Sequence, residues 1–139
     1  MSAPPAVAPP LTAPAGAAPA VILGGSEDTR LLLRGLLRLH RHRILLEGPS
    51  TDGIDGLPSS TEPKVLVLDA GATADTAWAE SLASVLQRRA DLRALVILPA
   101  SDPALEARAR AAGARAVLVR PFAIREFVEA VDSVAILPP

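Results

Sequence analysis

Five short apolar runs alternate with segments of helical periodicity from residue 20 to residue 137. The runs are AVILG at 20–24, RILLEG at 43–48, KVLVLDAG at 64–71, ALVILPA at 94–100 and AVLVRPF at 116–122. Apolar runs of this length predict buried strands, and the helical segments between them predict βαβ units. Because crossovers between parallel strands are right-handed, the pattern predicts one parallel sheet with helices on both faces.

The predicted fold class is α/β, flavodoxin-like and doubly wound, with five parallel strands in the order 2-1-3-4-5. KVLVLD is almost wholly apolar, which is typical of a central strand that is buried on both faces. In such a sheet the site lies at the carboxyl ends of strands one and three, where the strand order reverses. We therefore expect the functional residues to lie around Gly24 and Asp69, where these two strands end.

Helices are predicted over 26–42, 73–90, 101–114 and 123–137, and Ser26 or Gly25 is expected to cap the first of them. This first helix carries leucines at helical spacing, namely Leu32, Leu36 and Leu39 on one face, with Leu33 and Leu37 beside them. Segment 48–63 differs, since it carries three prolines and three glycines. These residues oppose a helix, so we expect a short or irregular second helix with at most one helical turn.

Composition and charge exclude several classes of function. The chain has no cysteine, which excludes disulfides, thiolate catalysis and cysteine-ligated zinc. Its net charge of -1 argues against a nucleic-acid partner. The two histidines, His40 and His42, lie in a basic stretch, where we expect surface residues rather than metal ligands.

Residues 1–19 are rich in proline and alanine, which predicts a disordered tail ahead of a domain over 20–137. The tail lacks the basic start and the unbroken apolar stretch of a signal peptide. No apolar run reaches the roughly 20 residues that a membrane span needs. We therefore expect a cytoplasmic protein without a membrane partner.

The order and spacing of the strand ends resemble the receiver domain of bacterial two-component response regulators. VLVLDA around Asp69 and ARAAGARAVLVRPF at 109–122 carry the likeness, which covers residues 20 to about 135. In that family an aspartate at the end of strand three accepts a phosphoryl group from a histidine kinase. Two acidic residues after strand one help to hold Mg²⁺. A Thr or Ser after strand four and a Lys after strand five bind the phosphoryl oxygens.

Compared position by position, the resemblance implies a site that has lost part of this set. Asp69 matches the phosphoacceptor, and Gly71 matches the residue that lends a backbone carbonyl to the metal. Gly24 and Gly25 stand where the acidic pair belongs, and Ser26 follows them. The metal ligands after strand one are therefore missing, although Glu27 in a shifted register remains open as a substitute.

The ends of strands four and five also depart from the family. Pro99 stands in the Thr or Ser position before Ala100, and it has neither a hydroxyl nor an N–H to donate. Arg120 replaces the lysine with a larger planar cation, and without Mg²⁺ we expect it to pair with Asp69. Its peptide bond to Pro121 is expected to be cis, as the family's Lys-Pro usually is. Val117 stands where many members carry an aromatic switch residue.

These departures predict an atypical receiver, or pseudo-receiver, that signals through protein–protein interaction without phosphorylation. We expect no catalytic residue, no metal and no cofactor. The partner would be a histidine kinase or a downstream signalling protein, and a homodimer is also open. The alternative is a working receiver that accepts a phosphoryl group on Asp69 and uses Mg²⁺. A third hypothesis is a nucleotide-binding module in which the Gly24-Gly25 turn holds a phosphate.

Two groups of arginines are candidate partner-binding residues. Arg30, Arg34, Arg38 and Arg41 recur at helical spacing along the first helix. The second group, near the last strand and its flanking helices, consists of Arg108, Arg115 and Arg125. For both groups an ordinary solvated surface is the alternative to a docking surface.

Overall fold

The computed structural model describes residues 18–58, 61–71 and 76–136. Its strands are β1 (Ala20–Gly24), β2 (Ile44–Gly48), β3 (Lys64–Asp69), β4 (Leu92–Leu98) and β5 (Ala116–Val119). Its α-helices are α1 (Glu27–Leu39), α2 (Ala77–Arg88), α3 (Pro103–Ala111) and α4 (Ile124–Ile136). The strands form one parallel sheet in the order β2-β1-β3-β4-β5, so the predicted topology is confirmed.

Helices cover both faces of the sheet, which explains why β1, β3 and β4 are apolar along almost their whole length and buried throughout. One face packs against α1 and α4 through Leu33, Leu37, Phe127, Val131 and Val134. The other face packs against α2, α3 and a short helical segment through Leu82, Val85, Ala109 and Ile54. No helix in the described ranges is long and apolar enough to cross a membrane.

The helix ends follow the signals in the sequence. Ser26 caps α1 by accepting a hydrogen bond from the backbone N–H of Thr29. Asp102 caps α3 in the same way, accepting from the N–H groups of Ala104 and Leu105. Gly113 follows α3 with a φ of +113°, a conformation that glycine adopts without steric cost.

Helix α1 buries a narrower face than its leucines indicate. Leu33 and Leu37 are buried, whereas Leu32 and Leu39 are 63% and 74% exposed. A helix that lies on a sheet buries one stripe of its circumference, and the leucines of α1 extend beyond that stripe. The leucines outside it form an apolar outer surface.

The segment between β2 and β3 is irregular, as predicted. It forms a 3₁₀ helix over Thr51–Gly56, which is longer than the single turn expected. The guanidinium group of Arg89 binds this segment, donating to the carbonyl oxygens of Ile54 at 2.9 Å, Leu57 at 3.2 Å and Pro58 at 3.1 Å. The carbonyl of Ile54 also accepts from the N–H of Leu57, at the end of the 3₁₀ helix. A single arginine thus gives three carbonyls of this segment a hydrogen-bond donor.

Arg89 belongs to a buried ionic cluster, formed with Asp91 and Lys64, at the amino-terminal ends of β3 and β4. The Asp91 carboxylate accepts from Arg89 Nε at 3.2 Å, from Arg89 Nη2 at 3.1 Å and from Lys64 Nζ at 2.9 Å. Burial raises the pKa of Asp91, but the hydrogen bonds from Arg89 and Lys64 outweigh it and lower that pKa from 3.8 to about 2. Asp91 is therefore ionised at neutral pH and holds both cations in place.

The predicted tail falls mostly on residues 1–17, which lie outside the described residues, so that prediction stays a prediction. The chain contacts the domain at Ala18 and Pro19. The carbonyl of Ala18 lies 2.8 Å from Nδ1 of His42, and the carbonyl of Pro19 accepts from the N–H of Val65. The expectation that His42 is a surface residue is wrong, because the ring is buried where it binds the chain entering β1.

Candidate functional site

The carboxyl ends of the strands meet at Asp69. Gly24 lies beside Asp69 in the register of β1 and β3, and Ile97 lies beside it in β4. A cleft of about 390 Å³ opens over the carboxylate, lined by Gly25, Ser26, Thr29, Asp69, Gly71, Pro99 and Arg120. Two of the residues predicted for the pocket are not among the lining residues, namely Gly24, which packs beneath, and Ala100, which is exposed.

Both oxygens of the Asp69 carboxylate have partners. Oδ1 accepts from the backbone N–H of Gly71 at 2.8 Å and from Nη1 of Arg120 at 3.0 Å. Oδ2 lies 2.9 Å from Nη2 of Arg120, so the guanidinium group binds both oxygens of the carboxylate. The Asp69 side chain is 3% exposed and that of Arg120 is 33% exposed. The ion pair that the sequence predicts is thus present, with its anion buried and its cation partly in solvent.

Gly24 and Gly25 pack directly against Asp69. Their φ angles are +81° and +68°, which side chains rarely adopt. A Cβ atom on Gly24 would overlap the carbonyl oxygen of Asp69, and one on Gly25 would lie 2.6 Å from Oδ2. This backbone therefore has no room for a side chain, acidic or otherwise, at either position.

Arg30 holds the glycine turn in this conformation. Its Nη1 donates to the carbonyl oxygens of Gly24 at 3.1 Å and Gly25 at 2.8 Å. The sequence placed Arg30 in a basic stripe and gave no sign of this role. A second residue that the sequence did not indicate is Thr29, which lines the cleft and accepts a hydrogen bond from the hydroxyl of Ser26.

The donor groups around Asp69 do not fit Mg²⁺, which takes oxygen ligands in octahedral geometry, usually including one or two carboxylates. In the described part of the chain, Asp69 is the only carboxylate that lines the cleft, and both of its oxygens bind Arg120. Glu27 and Asp28 are exposed in the first turn of α1 and do not line the cleft. Across residues 18–58, 61–71 and 76–136, no three His, Asp or Glu side chains form a metal-binding group.

Arg120 also connects the pair to the loop that begins α4. Its peptide bond to Pro121 is cis, as expected. The guanidinium carbon lies 5.9 Å from the ring centre of Phe122, and that ring stacks on Phe127 of α4 at 6.0 Å. A groove of about 540 Å³ runs beside this loop, and its apolar walls include Leu32, Leu36, Phe122 and Ile124.

The arginines of α1 do not form one free basic stripe. Arg30 binds the glycine carbonyls, and Arg34 pairs with Glu47 of β2 at 3.0 Å. Arg38 and Arg41 are exposed near the end of α1. In the second group Arg108 and Arg125 are exposed, on α3 and α4 respectively, and Arg115 follows α3. Only Arg120, which was assigned to the pocket, lies at the cleft.

No protein-family model matches the chain, and no curated protein matches it in sequence. Solved structures do match it. A pilus assembly-related protein from Burkholderia pseudomallei aligns with a TM-score of 0.70 and 21% identity, over 87% of this chain and 91% of that one. A response regulator from Thermotoga maritima aligns with a TM-score of 0.70 and 16% identity, over 85% of this chain and 98% of that one.

A third match comes from the CheX–CheY–BeF₃–Mg²⁺ complex of Borrelia burgdorferi, with a TM-score of 0.68 and 14% identity, over 86% of this chain and 90% of that one. The chain has the fold of a CheY-like receiver domain. The resemblance drawn from the strand-end motifs is thereby confirmed for the fold.

Proposed function

We propose that this receiver-fold protein acts in signal transduction by binding other proteins, without phosphorylation of Asp69 and without Mg²⁺ or enzymatic turnover. The observation that carries the proposal is the two-point ion pair between Asp69 and Arg120. It occupies the carboxylate that would have to attack a phosphoryl donor. The partner is a protein, either a histidine kinase or a downstream signalling component.

Phosphoryl transfer to an aspartate needs a free carboxylate oxygen in line with the donor and cations around the transferred group. Here Oδ2 of Asp69 is bound by Arg120, while Oδ1 binds Arg120 and the N–H of Gly71. Pro99 has no hydroxyl for the phosphoryl oxygens. The glycine turn leaves no space for the acidic pair that would recruit a divalent cation.

The same ion pair supports a role as a fixed binding scaffold. The guanidinium group of Arg120 binds Asp69 and also lies over the ring of Phe122. The Phe122 ring in turn stacks on Phe127 of α4. The positive charge of Arg120, which would otherwise attract a phosphoryl group, is already neutralised by the Asp69 carboxylate. The loop between β5 and α4 is thus bound to the end of β3 in the unmodified protein.

The test is a titration with beryllium fluoride, which mimics an aspartyl phosphate, at millimolar Mg²⁺, followed by NMR of the amides of Asp69, Ala70 and Ala100. We expect no saturable shifts, whereas a conventional receiver treated identically shows them. Arg120→Lys restores the family's lysine but not its metal ligands, so this variant should also show no saturable amide shifts. Saturable shifts that disappear in Asp69→Asn would overturn the proposal in favour of a working phospho-receiver.

A further inference from the structure

The outer surface of α1 is unusual for a helix that packs on a sheet. The positions directly opposite the buried Leu33 and Leu37 are occupied by Leu31, Gly35 and Leu39 rather than by charged residues. Leu31 is 54% exposed and Leu39 is 74% exposed, with the equally exposed Leu32 beside them. No described part of the chain covers this face.

Gly35 lies at the centre of this outer face. A glycine inside a helix costs about 1 kcal/mol relative to alanine. Nothing in the fold requires it, because a Cβ atom at this position would meet no atom within 4 Å and its φ is not positive. Leu31 and Leu39, both exposed, lie one turn before and one turn after Gly35. A small residue between them allows the backbone of another helix to approach closely.

The charged residues at the two ends of α1 indicate which helix would approach this face. Asp28 lies on the same face, one turn before Leu31, and Glu27 precedes it. Arg38 lies near the other end of the face and is exposed. A second α1 that runs antiparallel, with Gly35 of both copies at the axis, would place Leu31 against Leu39 of the other copy. Asp28 would then lie about one helical turn, roughly 6 Å along the axis, from the other copy's Arg38, an offset that the long arginine side chain can span. The antiparallel arrangement also opposes the two helix dipoles.

We infer that the protein forms a two-fold symmetric homodimer through the outer face of α1, with Gly35 of both copies at the axis. A two-fold contact uses the same patch on both subunits, and this face is complementary to itself in shape and in charge. The face lies away from the Asp69 cleft, so this inference can fail while the proposed function stands. A contact of one 13-residue helix per subunit is small, and we expect dissociation in the micromolar range.

Disulfide trapping tests the geometry directly, because the chain contains no cysteine. Gly35→Cys should form a covalent dimer under mild oxidation, since the two positions meet at the axis. Leu31→Cys alone should stay monomeric, but should cross-link when mixed with Leu39→Cys. Gly56→Cys, on the exposed 3₁₀ segment where a Cβ atom would meet no atom within 4 Å, controls for random collision. Cross-linking of Leu31→Cys with itself would mean a parallel pairing and would overturn the inference.

Sedimentation from about 1 to 500 µM protein tests the same dimer without oxidation. Leu31→Glu should raise the dissociation constant at least about 30-fold, as expected for a central contact worth roughly 2 kcal/mol. Ile136→Glu replaces an equally exposed apolar residue on α4 and should leave dimerisation unchanged. Asp28→Arg and Arg38→Asp should each weaken the dimer, and the double variant should recover it. A monomer at every concentration, together with Gly35→Cys that does not cross-link, would overturn the inference.

Discussion

Asp69 shows how closely the neighbours of one side chain can constrain it. The carboxylate is buried, receives a backbone N–H from Gly71 and is bound at both oxygens by Arg120. Gly24, the last residue of β1, and Gly25 after it pack directly against Asp69. These contacts occupy both carboxylate oxygens and fix the side chain in place.

In the Asp69–Arg120 pair the carboxylate is buried and the guanidinium group is partly exposed, and this difference gives a first prediction. Arg120→Ala leaves a buried carboxylate without its cation and should lower the free energy of unfolding by about 2 kcal/mol or more. Asp69→Asn leaves a guanidinium that is one-third exposed and can be solvated, so its cost should be smaller, about 1 kcal/mol. Urea denaturation at pH 7 measures both values. A larger loss in the free energy of unfolding for Asp69→Asn than for Arg120→Ala would contradict this account.

Gly25 gives a second prediction at the same scale. Gly25→Ala forces a side chain into a positive φ and against Oδ2 of Asp69, so it should destabilise the fold by more than about 1 kcal/mol. Gly48→Ala is the matched control, because its Cβ would meet no atom within 4 Å and its φ is not positive. The control should change stability by less than about 0.5 kcal/mol. Equal urea midpoints for Gly25→Ala and Gly48→Ala would count against the close packing of Gly25 on Asp69.

At the level of elements, the irregular segment between β2 and β3 depends on a residue far along the chain. Arg89, just after α2, binds three of its carbonyls and is itself held by Asp91. The segment lacks the regular hydrogen bonds of an α-helix, so this arginine determines where it lies. The side of the domain that has a 3₁₀ segment between β2 and β3 is therefore also the one that relies on a buried ionic cluster.

Arg89→Ala should release this segment and lower the free energy of unfolding by about 3 kcal/mol. The substitution removes one partner of a buried ion pair and three hydrogen bonds to carbonyls of the segment. Arg88→Ala is the neighbouring control. Its pair with Asp55 is exposed, 45% and 70% for the two side chains, and its loss should cost less than about 1 kcal/mol. Hydrogen exchange of residues 51–57 should accelerate in the Arg89 variant only. Unchanged exchange there would mean that Arg89 does not hold the segment.

For the whole molecule, Asp91 links stability to pH. Its pKa is about 2 in the folded protein and 3.8 without the fold, so the folded state binds its proton less readily. The stabilisation is complete above about pH 4 and is lost as the pH falls towards 2. The contribution of this carboxyl is about 2 kcal/mol.

Urea denaturation between pH 2 and pH 5 checks this loss, and Asp91→Asn should flatten the curve in that window. If the variant does not fold, the carboxyl resonance of Asp91 in the unmodified protein reports the same titration by carbon NMR. A carboxyl pKa measured at or above 3.8 would show that the cluster with Arg89 and Lys64 does not stabilise the charge.

The sequence by itself determined the sheet and its site. The apolar runs, the capping residue at Ser26 and the aspartate ending a buried strand are local features, so the topology, the start of α1 and the location of the site were predictable. The Asp69–Arg120 pair was predicted from the resemblance to receiver domains. Spacing alone did not determine which face of α1 is buried, because its six leucines extend beyond the stripe that a sheet covers.

Only the tertiary structure decided contacts between residues far apart in the chain. His42, at the entry to β1, and Arg89, on the 3₁₀ segment, each bind a distant backbone carbonyl. Every residue except proline carries the same carbonyl and N–H, so the sequence holds no signal for which carbonyl a distant arginine or histidine will find. Packing brings each pair together, and packing also leaves Leu31, Gly35 and Leu39 uncovered on α1.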